Sequence, residues 1–241
     1  MDVGKDNFST HISQQFNTEL EELKSRVLNM GGLVEKQVID SVAALVDGDS
    51  ELAEKVRRTE KEVNQFEIEV DEACTRILAL RQPAASDLRM IVAITRAITD
   101  LERVGDEANK IAGFALTLAE EGQSPKGYIE ARHIGNHVST MVRQALDSFA
   151  RLDAEAALLV AREDKLVDVE YESAIRLLVT YMIEDPRSIS RVINIVWVMR
   201  ALERIGDHAH NIAEHVIYLV KGKDVRHTKL DKIEKEVLNI K

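Results

Sequence analysis

Two short acidic patterns in the chain have the spacing that metal chemistry needs. Glu102 and Asp106 lie four residues apart, as do Glu203 and Asp207. On a helix this spacing puts both carboxylates on one face, with Cβ atoms roughly 5–6 Å apart. Like charges so placed cost on the order of a few tenths of a kcal/mol. Each pair also encloses a glycine, Gly105 or Gly206, which costs about 1 kcal/mol relative to alanine inside a helix. Two local penalties repeated at the same place in two stretches indicate a site, with the glycine letting a neighbouring helix approach.

The preceding helix of each stretch supplies a partner row. Glu60, Asn64 and Glu67 share one face, and Asp164 and Asp168 occupy the corresponding places in the second stretch, followed by Glu170 and Glu172. If the two helices of each stretch run antiparallel, four or more oxygen-bearing side chains converge. Such sets suit Mg²⁺, Mn²⁺ or iron, with water completing the shell. His210 adds a nitrogen at i+3 from Asp207; its counterpart Asn109 cannot. Taken singly, a Glu-x-x-x-Asp pair is usually a solvated face, here with Arg103 and Arg204 as ion-pair neighbours. Duplication around a glycine moves the reading toward a site.

The elements that must position these groups follow from periodicity, which gives six helices. The first carries Ile12, Phe16, Leu20, Leu23, Val27, Met30, Val34, Val38 and Val42, with Gly31-Gly32 marking a kink. The second carries Leu52, Val56, Val63, Phe66, Val70, Ile77 and Leu80, the seam of a bundle helix, and ends before Pro83. The third stops at Gly122, and Gly122 to Gly127, which includes Pro125, is the domain boundary. Ile134, Val138, Met141, Ala145 and Phe149 mark the fourth helix. Asp153 is the N-cap of the fifth, and Asp185-Pro186 starts the sixth, which reaches Val220. Residues 101–112 match 202–213 at eight of twelve positions. Gln82-Pro83 pairs with Asp185-Pro186, and Asp40 to Leu45 with Asp147 to Leu152. The expected fold is therefore all-α: two tandem, pseudo-symmetric three-helix bundles at 8–121 and 128–221, with a basic C-terminal tail at 222–241.

Composition narrows the function classes. A net charge of -10 disfavours a nucleic-acid partner. The single Cys74 cannot form an internal disulfide and is expected as a buried structural thiol. Met1 to Thr10 is too polar for a signal peptide, and no apolar run is long enough to span a bilayer, so a cytoplasmic location is expected. No phosphate-binding glycine loop or nucleophile triad is present, so no catalytic residues are assigned and the chain is not expected to be an enzyme. Glu130-x-x-His133 with His137 is half of a ferritin-like di-iron pattern, but the second half is missing; these histidines are expected on the surface. Trp197 and Met199 are expected in the core. In the tail, Leu230, Ile233, Val237 and Ile240 fit a short amphipathic helix, although a weakly ordered end is the default.

Arg-Gln-Pro-Ala-Ala-Ser-Asp-Leu-Arg at 81–89, Asp-Leu-Glu-Arg-Val-Gly-Asp-Glu-Ala at 100–108 and Leu-Glu-Arg-Ile-Gly-Asp-His-Ala at 202–209 resemble the PhoU family over nearly the whole chain. The resemblance implies two similar three-helix bundles and an adaptor that negatively regulates the phosphate-starvation regulon and modulates phosphate ABC transport. Its expected partners are a phosphate-sensing histidine kinase, the ATPase subunit of the phosphate ABC transporter and a second copy in a homodimer. The partners would recruit it to the inner membrane. Some members bind multinuclear metal clusters, and by position Glu60, Glu102, Asp106, Asp164, Asp168, Glu203 and Asp207 carry that pattern. Asn64 stands where an aspartate would complete the first pair, so weaker binding is expected in the first half. The alternative is a carboxylate-bridged metalloenzyme or metal store, and a plain helical scaffold is the third reading.

Overall fold

The computed structural model describes residues 5–122 and 127–238, with side chains from residue 15 onward. Most of the expected boundary, including Pro125, and Ile240 of the tail lie outside the described residues, as does the side chain of Ile12. The helices are α1 (Lys5–Asp47), α2 (Ser50–Arg81), α3 (Ala85–Glu120), α4 (Tyr128–Arg151), α5 (Ala154–Glu184), α6 (Ile189–Lys221) and α7 (Leu230–Val237). Among the described residues there is no strand.

Local chemistry sets the ends. Asp49 accepts a hydrogen bond from Leu52 N, and Asp153 from Glu155 N and Ala156 N, so each satisfies amides at the start of a helix. The residue before each cap, Gly48 or Leu152, takes a left-handed φ. Gly122 and Gly222 close α3 and α6 with positive φ. Asp185 caps a single 3-10 turn, Pro186–Ser188, and α6 begins only at Ile189, later than the sequence indicates.

Helices α1, α2 and α3 pack together, as do α4, α5 and α6; the halves meet through α3 against α6 and α1 against α4. Buried side chains of both halves form one continuous core. Most of the seams expected from periodicity are buried, among them Val27, Val34 and Val38 of α1 and Val56, Val63 and Val70 of α2, but Leu80 at the end of α2 is exposed. Helix α1 runs through Gly31-Gly32 without a break. Gly31 is small because Leu146 of α4 occupies the space of its Cβ, and a Cβ on Gly135 would sit 2.7 Å from Val42 Cγ2 of α1.

These contacts correct the repeat. The caps pair Asp49 with Asp153, and the same shift pairs Gly31 with Gly135 and Val42 with Leu146. It also pairs Asp40 with Gln144, not Asp147. The sequence alignment of α1 with α4 is thus one turn out of register, because a three-residue slip nearly preserves a helix's apolar face.

Two further expectations change. Trp197 is 55% exposed, whereas Met199 is fully buried. The tail is not loose over residues 230–237: α7 buries Ile233 and Val237 and ties Glu234 to Arg162 of α5 at 2.9 Å.

Gly105 and Gly206 lie at helix contacts, as expected. A Cβ on Gly206 would meet Val167 of α5 at 3.4 Å and Val138 of α4 at 3.6 Å, which is ordinary contact. Gly206→Ala is therefore expected to fold and to gain up to about 1 kcal/mol from helix propensity. Gly206→Leu must push those valines aside and lose about 1–3 kcal/mol. Urea denaturation of both variants checks the pair, and equal stability would place Gly206 on an open surface.

Candidate metal centre

Helices α5 and α6 run antiparallel and bring Asp164 and Asp168 opposite Glu203 and Asp207. Burial raises the pKa of Asp168, Glu203 and Asp207. Mutual repulsion adds to it: Asp164 acts on Asp168 and Asp207, and Asp207 on Glu203. Arg200 Nη1 donates to Glu203 Oε1 at 2.6 Å, while Glu203 Oε2 is buried without a hydrogen-bond partner. His210 sits 3.2 Å from Asp164 Oδ2 and 3.4 Å from Glu214 Oε1. Burial disfavours its charge, but the two carboxylates win and hold its pKa up at about 10. Glu170 points elsewhere, to His137, and Glu172 faces Arg176 at 3.6 Å.

In the first half α2 and α3 repeat the arrangement. Burial raises Glu60, Glu67 and Glu102, and Asp106 repels all three. Asn109 donates to Glu60, Thr99 to Glu67 at 3.4 Å, and Arg103 lies 3.5 Å from Glu102. Asn64 Oδ1 and Asn109 Oδ1 are buried without hydrogen-bond partners. Glu67 therefore joins the set as a fourth carboxylate, and the repeat pairs it with Tyr171 in the second half. Glu67 brings to this half a charge that Asn64 does not.

Each half thus gathers four carboxylates, three of which have their charge disfavoured by burial and by neighbouring acids, beside an unpartnered buried oxygen. That donor chemistry fits a hard cation. The rotamers shown do not yet enclose one: among the described residues no three His, Cys, Asp or Glu side chains converge on a single ion position. Closure would fall to the long Glu side chains, with water filling the remaining positions.

Sequence reasoning missed a second polar cluster, between the halves. Asp100 of α3 accepts from Asn211 Nδ2 at 3.1 Å and lies 2.9 Å from His208 Nδ1 and 2.8 Å from His215 Nε2, all on α6. Burial pushes its pKa up, yet these hydrogen bonds outweigh burial and hold it at about 2. The available signal was the spacing of His208, Asn211 and His215 on one helical face. Nearby, the buried Glu107 pairs with Arg204 at 3.0 Å. His133 is exposed as expected, but His137 is half-buried between Glu163 and Glu170, each at 3.0 Å, which raise its pKa despite burial. Cys74 is buried, which pushes its thiol up to about 11. No described helix is long and apolar enough to cross a membrane.

The PhoU domain model matches residues 27–115 and 131–216, one copy in each half. The phosphate-specific transport system accessory protein PhoU homolog of Pseudomonas aeruginosa is 61% identical over 98% of both chains. The PhoU accessory protein of Escherichia coli K12 is 45% identical over 95% of both. The crystal structure of PhoU from Pseudomonas aeruginosa is similar with a TM-score of 0.85 and 62% identity, covering 86% of this chain and 100% of that one. The phosphate transport system regulatory protein PhoU from Streptococcus pneumoniae gives a TM-score of 0.80 at 30% identity, covering 87% of this chain and 99% of that one. With both halves matched in order and these relatives covered almost end to end, the chain belongs to the PhoU family.

Proposed function

We propose that the chain is a non-catalytic signalling adaptor of phosphate homeostasis that represses the phosphate-starvation regulon when phosphate is plentiful. The observation that carries this reading is the end-to-end likeness to accessory proteins of phosphate-specific transport, at 61% identity. Its partners are the phosphate-sensing histidine kinase and the ATPase subunit of the phosphate ABC transporter, which bring it to the inner membrane from the cytoplasm. It acts as a homodimer. Mechanistically it need only prefer one kinase conformation; about 1.4 kcal/mol of preference shifts that equilibrium tenfold.

Glu60, Glu67, Glu102 and Asp106, with Asn64 beside them, would hold a Mg²⁺, Mn²⁺ or iron ion in the first half; Asp164, Asp168, Glu203 and Asp207 would do so in the second. Such an ion supplies charge neutralisation, which links the two helices of each groove. A metal store or carboxylate-bridged enzyme draws on the same clusters. Retention of redox-active iron with turnover would favour that reading.

Deleting the gene is expected to switch on phosphate-starvation genes in phosphate-rich medium, as read by reporter expression. A tagged chain from phosphate-replete cells should recover the kinase or the transporter ATPase. Continued repression in the deletion strain, with neither protein recovered, overturns the adaptor reading.

A further inference from the structure

The duplication provides an internal control, because positions related by the repeat diverge when one copy has a task the other lacks. On α6, Ile189, Ile193 and Trp197 form an exposed stripe at steps of four. The repeat maps them onto Leu88, Val92 and Arg96 of α3. Arg96 is occupied: its guanidinium lies 5.2 Å from the Tyr218 ring centroid and 3.6 Å from Asp224. Trp197, the chain's single tryptophan, is instead more than half exposed. On α5 the exposed Val179 and Ile183, the latter at 75%, stand where α2 has Thr75 and Ala79. The antiparallel register fixed by Asp164 and His210 puts this end of α5 level with Ile189 and Ile193. The first copy also exposes apolar side chains at this end, Leu80 and Leu88, but only the second copy continues them to an exposed tryptophan, and an apolar patch extended in this way marks an interaction surface.

Beyond Trp197 the same face turns acidic. Arg200 and Arg204 are already engaged, by Glu203 at 2.6 Å and Glu107 at 3.0 Å. Asp168 and Asp207 have no ion-pair partner among the described residues. An apolar strip ending in unpaired carboxylates is complementary to a helix whose apolar residues recur at i, i+4 and i+7 beside Lys or Arg. It is a poor match for an anionic lipid surface, which the acids repel. It also fits a second copy badly: a two-fold pairing across Trp197 would set the apolar end of one stripe against the carboxylates of the other.

We propose that the α5–α6 face around Trp197 docks a basic amphipathic helix of a partner protein, with Ile189, Ile193 and Trp197 taking its apolar side and Asp168 and Asp207 its cations. The proposal rests on the adaptor reading and assigns it a surface.

Trp197 reports on its own environment. The full chain in metal-free buffer, so that no ion neutralises the same acids, is titrated with a synthetic helix carrying Leu at i, i+4 and i+7 between Lys residues. A saturable blue shift of the tryptophan emission is expected. The same peptide with Glu for Lys should bind at least about tenfold more weakly, as should Ile193→Asp or Ile183→Asp, whose exposed positions leave the melting curve in place. No shift, equal affinity for both peptides, or unchanged affinity in both variants overturns the proposal. So does a shift produced by protein concentration alone, which means a second copy covers the face, or by phosphatidylglycerol vesicles. The adaptor reading fails separately, when the unaltered chain recovers neither kinase nor ATPase from phosphate-replete cells.

Discussion

Saturating Mn²⁺ is expected to raise the melting temperature of the metal-free chain by about 5–10 °C for each half that binds it. A ligand at a hundred times its Kd stabilises the folded state by about 2.7 kcal/mol, and a chain of this size gains roughly 2–4 °C per kcal/mol. The physical reason lies in the apo protein. Burial makes charge costly for Glu60, Glu67 and Glu102 on one side and for Asp168, Glu203 and Asp207 on the other, and neighbouring acids add to that cost. A cation removes both penalties in the folded state only. Glu203→Gln with Asp207→Asn should therefore do two opposite things. The metal-free melting temperature should rise, because repulsion has been removed, and the Mn²⁺ increment of the second half should disappear. Scanning calorimetry with metal analysis reads both. If the double amide variant alters neither quantity, the acids are a solvated face. Glu102→Gln with Asp106→Asn should abolish the increment of the first half alone, and that increment should match the second, since Glu67 supplies the charge that Asn64 lacks.

The acidic motifs were legible in the sequence because each is local: an i, i+4 pair and its glycine are set by one helix. The partner rows were legible for the same reason, since Val63 and Val167, which face Gly105 and Gly206, sit between the side chains concerned. What spacing could not supply was charge balance. His210 lies against Asp164 and Glu214; Glu214 is one turn along the same helix, but only the packed structure brings Asp164 to it. Trp197 was misplaced because α6 is apolar around most of its circumference, so periodicity does not single out the exposed stripe. The register of α1 against α4 was lost because helical periodicity tolerates a slip of one turn, whereas the Gly31–Leu146 and Gly135–Val42 contacts do not. The Asp100 cluster depends on α3 packing antiparallel to α6 across the two halves, and no local pattern encodes that pairing.

That cluster has the largest effect expected of any single side chain. Asp100→Ala should destabilise the chain by about 3 kcal/mol, and so lower its melting temperature by about 6–12 °C. The substitution removes the acceptor of Asn211 and the partner of His208 and His215, leaving polar groups in the seam between α3 and α6 unsatisfied. The pH dependence has a definite sign. The folded-state pKa of Asp100, about 2, lies below its ordinary value of 3.8. The stabilisation is therefore fully present above about pH 4 and is lost as pH falls toward 2, amounting to about 2 kcal/mol by linkage. The unaltered chain should lose this increment in acid, and Asp100→Ala, lacking it already, should show a correspondingly flatter stability curve over that range. Asp100→Asn keeps one acceptor oxygen but turns an amide toward the second histidine, so it should fall between the two. His215→Ala combined with Asp100→Ala should cost less than the sum of the single losses, because both remove the same 2.8 Å contact. Strict additivity, or a melting temperature for Asp100→Ala within about 2 °C of the unaltered chain, would mean that the contact adds nothing to the joint between the halves, leaving apolar packing and Glu107–Arg204 to hold it.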